Sequence, residues 1–155
     1  MRFILTFIFA VLMLAPIVQD AQASPDRDFQ GFPGSISSHK VNVRAGPGTN
    51  FPILWVFKMQ GYPIKTTAKY GHWYKIKDAE GEEGWLHQMF VSRQETGLIR
   101  GPQPATLYKD RDGVYPLLKL EAGVLVLLKR CALGLCEVEV SGEEGWIDSK
   151  EIKRP

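Results

Sequence analysis

Cysteine and histidine are both scarce in this sequence, with two of the first and three of the second. Cys131 and Cys136 do not form a Cys-x-x-Cys motif, so a redox or nucleophilic dithiol is not indicated. His39, His72 and His87 have no cysteine and no tight ligand spacing to help them hold zinc, so no metal site is expected. Excess charge of one sign is missing as well. Nineteen Lys and Arg against 17 Asp and Glu leave a net +2, which is no strongly basic nucleic-acid footprint and no polybasic membrane surface. After the first residues no apolar run is long enough to span a bilayer. Helical periodicity of any length is also absent there, so helix should be minor. The chain shows no Ser/His/Asp context, no phosphate loop and no nucleotide fingerprint. No catalytic residue, no cofactor and no nucleic-acid partner follow from it.

What is present begins with an export signal. Arg2 gives a short positive start, and Phe3 to Leu14 is apolar except for Thr6. Pro16 breaks any helix, and Ala21-Gln22-Ala23 offers small residues where a signal peptidase reads. Residues 1–23 are therefore expected to be a signal peptide, leaving Ser24 as the new terminus. The apolar run to Val18 is shorter than the roughly 20 residues a membrane span needs. Cleavage removes Arg2 and Asp20, so the net charge does not change. The expected destination is the periplasm or the extracellular space, with no membrane insertion after cleavage. The two cysteines fit that destination. They enclose Ala132-Leu133-Gly134-Leu135, and on a tight β-turn their Cα atoms approach within disulfide range. So short a loop contributes only about 2 kcal/mol by chain entropy.

A repetition organises the remainder. Gly81-Glu82-Glu83-Gly84-Trp85 recurs letter for letter as Gly142-Glu143-Glu144-Gly145-Trp146. Each copy follows a short alternating segment, Trp73 to Lys77 or Cys136 to Val140. Each precedes an aliphatic residue (Leu86, Ile147) and a later apolar position (Val91, Ile152). Two copies of one module, each of about 55–60 residues, are expected. The local signals are β: Lys40 to Arg44 alternates, and Ile53 to Phe57, Tyr62 to Lys69 and Val124 to Leu128 are β-prone, with Gly-rich turns between them. Residues 24–36, rich in Pro, Gly and charge, read as a flexible leader.

The run Val41-Asn42-Val43-Arg44-Ala45-Gly46-Pro47-Gly48-Thr49, then His72-Trp73-Tyr74-Lys75-Ile76, then Glu83-Gly84-Trp85-Leu86, resembles the bacterial SH3 domain family. The resemblance implies an all-β chain of two tandem SH3-like small β-barrels, over residues 37–93 and 97–153, like the tandem SH3-like proteins exported by proteobacteria. In the second copy Ala105-Thr106-Leu107-Tyr108 replaces the Asn-Val-Arg strand and lacks its Arg and the Gly-Pro-Gly turn. By the same resemblance the protein is expected to be a non-enzymatic binding protein for peptidoglycan or another extended peptide. The alternative is a structural or assembly partner of another envelope protein.

Strand alternation separates two faces. Tyr74 and Ile76, with Cys136 and Val138, are assigned to the core; Trp73 and Lys75, with Leu135, Glu137 and Glu139, point outward. Trp73 has no aromatic counterpart in the second copy. With Tyr70, His72 and Trp55 it is a candidate for an aromatic groove of the kind that takes extended peptides. Trp85 follows Gly in both copies, so a fold role competes with a groove role. Trp55 lies in an apolar strand and is a candidate for core or barrel packing as well. Arg44 either pairs with an acidic ligand group or braces the Gly46-Pro47-Gly48 loop. Glu82, Glu83, Glu143 and Glu144 read as solvated turns rather than an acid pair for glycoside hydrolysis.

Overall fold

The computed structural model describes residues 26–155; the expected signal segment, residues 1–23, lies outside them. The chain is all-β, with two 3-10 turns and no α-helix among the described residues. The first sheet contains β1 (Pro33–Ile36), β2 (Val41–Arg44), β3 (Ile53–Phe57), β4 (Pro63–Tyr70), β5 (Trp73–Asp78), β6 (Glu83–His87) and β7 (Val91–Ser92). The second contains β8 (Thr96–Ile99), β9 (Ala105–Tyr108), β10 (Pro116–Leu120), β11 (Leu125–Ala132), β12 (Leu135–Val140), β13 (Glu143–Asp148) and β14 (Ile152–Lys153). The spatial order is β3-β2-β6-β5-β4-β1-β7 in the first and β10-β9-β13-β12-β11-β8-β14 in the second, which is one order used twice. Every pairing is antiparallel, and each sheet curls around its own core as a small SH3-like barrel.

The two sheets agree in register. Ile76 faces Gly84 in one and Val138 faces Gly145 in the other; Arg44 faces Trp85 and Tyr108 faces Trp146. Even the irregularities correspond, with a bulge between Thr66 and Ala68 in β4 and between Leu128 and Arg130 in β11. A bulge adds one residue and sharpens the twist, which lets a long strand bend around so small a core.

Alternation explains the cores. Val41, Val43, Ile64, Ile76 and Leu86 fill the first with Ile36 and Phe57; Leu107, Val126, Val138 and Ile147 fill the second with Cys136 and Ile152. The assignment of Ile76, Cys136 and Val138 to the core matches their burial, and Tyr74 packs half-buried against the first core. Gly84 and Gly145 permit the close crossing on which both barrels depend. A Cβ at Gly145 would stand 2.5 Å from the Tyr108 carbonyl oxygen, and one at Gly84 would overlap Val43 Cγ1. Cys131 and Cys136 are direct cross-strand partners joined by a disulfide across the β11–β12 turn.

The flexible leader needs correction. Residues 33–36 are β1, paired with β4 and β7, and Ser35 and Ile36 are buried. The segment before it is also tied down. The Asp26 N–H donates to the Lys69 carbonyl at 2.8 Å, and the Phe32 N–H donates to Thr66 Oγ1 at 2.8 Å. Phe29 stacks on Tyr74 with ring centroids 5.4 Å apart, and Phe32 meets the same ring edge-on at 5.7 Å. Two aromatic rings and a strand outweigh the loop-like composition of the segment, because aromatic burial contributes more than Pro and Gly cost here.

Candidate functional site: an aromatic groove on the first barrel

The outward face of the first barrel is built from β2, β5 and β6. Asn42 and Arg44 alternate outward on β2, Trp73 and Lys75 on β5, and Trp85 and His87 on β6. Register places Trp73 opposite His87, and Trp85 between Lys75 and Arg44. Directly opposed side chains on one face lie within contact distance. The Trp73 and His87 rings meet edge-on at 5.5 Å. Beyond His87 the chain makes a 3-10 turn, Gln88–Phe90, which His87 caps by accepting the Met89 N–H at Nδ1. That turn brings Met89 and Phe90 beside Trp73. The result is a groove of about 290 Å³ lined by Arg44, Trp73, His87, Met89 and Phe90, with Lys40, Asn42 and Thr49 at its rim. Met89 is 68% exposed, so its flexible thioether stands ready at the mouth.

Of the residues singled out from sequence, Trp73 and Arg44 enter this groove. Arg44 is already engaged: Nη1 donates to the Thr49 carbonyl at 3.0 Å and the Phe51 carbonyl at 2.7 Å. It braces the loop that carries Gly46-Pro47-Gly48 while bordering the groove. Trp85 is half-buried on the same outward face, next to the groove rather than in its lining. Tyr70 is opposite Trp73 across the β4–β5 turn and is exposed, but it does not line the groove. His72 stands at the far end. Its Nδ1 lies 3.0 Å from Gln88 Nε2, and its ring is stacked on His87 at 6.0 Å. Trp55 goes elsewhere. It is opposite Val43 on the inner face, packs against the first core and meets Phe57 edge-on at 6.0 Å. Its Nε1 is buried without a hydrogen-bond partner. A residue paired with a core valine shares the valine's face, which is why Trp55 belongs to packing and not to the groove.

His87, Met89 and Phe90 escaped the sequence reading. The signal for His87 was available, since in antiparallel pairing the outward residue after Gly84-Trp85-Leu86 must oppose Trp73. Met89 and Phe90 depend on the 3-10 turn, which no local periodicity marks.

Charge on this face is locally balanced. Lys75 Nζ lies 2.7 Å from Glu83, whose carboxyl is held below the usual carboxylate range by that hydrogen bond and charge. The second barrel has none of the aromatic lining. By register Trp73 corresponds to Leu135 and His87 to Asp148, and the turn residues Met89 and Phe90 correspond to Lys150 and Glu151. Trp146, the equivalent of Trp85, has guanidinium groups near its ring, Arg130 at 5.3 Å and Arg111 at 5.4 Å. Lys129 binds Glu139 at 2.6 Å, which raises the lysine's pKa.

No curated protein matches the chain. Among solved structures it is similar to NlpC2 and NlpC1 from Trichomonas vaginalis, each with a TM-score of 0.34. It is 12% identical to the first, with 81% of this chain covered, and 14% identical to the second, with 86% covered. The alignment takes in 49% of each of those chains, so the protein spans about half their length. The family of bacterial SH3 domains matches residues 37–92, the stretch that holds β2 to β7 and the whole groove. Residues 37–92 are therefore similar in sequence to a bacterial SH3 domain.

Proposed function

We propose that the protein is a non-enzymatic binding protein of the bacterial cell envelope, and that its first barrel holds an extended peptide, with the peptides of peptidoglycan the foremost ligand. The observation that carries this reading is the asymmetry between two barrels of one topology. Trp73, His87, Met89 and Phe90 form a groove on the first, and their equivalents on the second are Leu135, Asp148, Lys150 and Glu151. A residue needed only for the fold would have a like residue in both barrels, as Gly84-Trp85 and Gly145-Trp146 do. Half-buried aromatic rings and an exposed thioether beside a positive rim suit a peptide with apolar and acidic parts. The disulfide between Cys131 and Cys136 supports an oxidising compartment outside the cytoplasm. Co-sedimentation with purified sacculi tests the reading. The wild type should pellet with them, and Trp73→Ala should lower retention about tenfold, the scale of losing one aromatic anchor. A wild type that stays in the supernatant would discard it.

A second reading, assembly with another envelope protein, draws on the sheet edges. β3 and β10 end their sheets, and Ile53, Leu54 and Leu117 on them are exposed, with Val114 and Tyr115 just before β10. An apolar edge strand is a template for pairing with another chain. Crosslinking in intact cells that recovers a protein through these edges, with no retention on sacculi, would favour it.

A further inference from the structure

Two hollows away from the aromatic groove adjoin where β8 and the C-terminal residues meet the first barrel. One, of about 440 Å³, is lined by Lys65, Arg100 and Arg154 around Thr96, Ile64 and Ile152. The other, of about 630 Å³, is lined by Arg93, Lys129, Arg130 and Arg154. They share Glu95 and Arg154 and form one cleft. Contacts run between the two sheets: Thr96 Oγ1 donates to the Gly61 carbonyl at 2.7 Å, and Lys153 pairs with Glu80 at 2.5 Å.

From this cleft we infer a second binding site, for a short peptide carrying free carboxylates and an ammonium group. The charge is the first reason. The chain as a whole carries only +2, yet six cationic side chains and one acidic side chain line the cleft. Lys129 and Arg130 already have carboxylate partners in Glu139 and Glu137. Among the described residues, Lys65, Arg93, Arg100 and Arg154 have none. Their engagements leave donors over. Arg100 uses Nε on the Ile152 carbonyl at 3.1 Å, Arg154 Nη1 lies 3.8 Å from Cys131 Sγ, and Arg93 lies over the Phe32 ring at 4.0 Å. Guanidinium forks match carboxylate oxygens in pairs.

The lining also discriminates between anions. A phosphate polymer presents negative charge alone and leaves Glu95 without a cationic partner. A peptide with both signs can set an ammonium on Glu95 and carboxylates on the arginines, with Ile64, Ile152 and Pro33 beneath its apolar atoms. This site shares no lining residue with the aromatic groove, so it does not depend on peptide binding there.

Calorimetric titration of the disulfide-bonded protein with Ala-Glu-Lys, both termini free, tests the inference. Binding should weaken with added salt, because screening shortens the reach of these charges. Lys65→Gln with Arg154→Gln should weaken it about tenfold or more. Arg93→Gln should act in the same direction, which keeps the test open if the double variant does not fold. The same titration of Trp73→Ala, which disables the groove, should still show the salt-sensitive binding that the double variant loses, so failure of the groove and failure of the cleft are distinguishable. Glu95→Gln should weaken binding of Ala-Glu-Lys and strengthen binding of pyrophosphate. Absence of binding by the wild type, affinity unaltered in the double variant and in Arg93→Gln, or pyrophosphate bound as tightly as the peptide would overturn it.

Discussion

Leu133 shows how one residue reports on its surroundings. It sits with φ of 53° beside Gly134 at 81°, a turn with two positive φ values between Ala132 and Leu135. Such a turn suits the twist of a hairpin, but a leucine there meets its own carbonyl and costs about 1 kcal/mol. Its side chain is 92% exposed, so it recovers nothing by burial. Leu133→Asn should therefore raise stability by about 0.5–1 kcal/mol in chemical denaturation. Tyr62 makes the second residue-scale prediction. Partial burial and the nearby carboxylates of Asp78 and Glu80 push its phenol up to about 12 from its ordinary value near 10. The folded protein then keeps this proton after the unfolded chain has lost it, so the phenol's contribution is complete below pH 10. It is lost as the pH rises from about 10 to 12. Tyr62→Phe should show a smaller loss of stability across that window, read as the shift in urea midpoint. An equal loss in both proteins would contradict the assignment.

At the scale of the element, both barrels depend on a glycine where β6 crosses β2 and β13 crosses β9. Gly145→Ala would force a methyl against a backbone carbonyl that has little room to retreat. Gly84→Ala meets mainly the tip of Val43, so Gly145→Ala should cost more, about 2–3 kcal/mol against 1–2 for Gly84→Ala. The leader gives a further expectation. Phe29→Ala removes a ring stacked on Tyr74 and should cost about 1–2 kcal/mol, whereas a flexible leader would register no change. Much of this level was legible in the sequence. Alternation in residues 73–77 and 136–140 separated core from surface correctly. The duplicated Gly-Glu-Glu-Gly-Trp located equivalent hairpins, and the spacing of the cysteines anticipated their bond. Segments that draw their order from distant partners were not legible. Residues 33–36 become a strand only because β4 and β7 are there to pair with them. Trp55 was ambiguous because its strand is apolar on both faces, and only its register with Val43 assigns it.

At the scale of the whole molecule, one strand order supports two different surfaces. The first barrel lines a groove with aromatic rings, and the second sets arginines at the equivalent of Trp85 and places Leu135, Asp148, Lys150 and Glu151 at the other positions. The chain's four tryptophans form a set of reporters for that division: Trp73 in the groove, Trp85 beside it, Trp55 against the core and Trp146 on the other barrel. Titration with a soluble peptidoglycan fragment, followed through the indole N–H resonances, tests the recognition claim most directly. The Trp73 resonance should shift in a saturable way, Trp85 less, and Trp55, packed against the core, should hold still. A titration that leaves the Trp73 resonance in place would contradict the account.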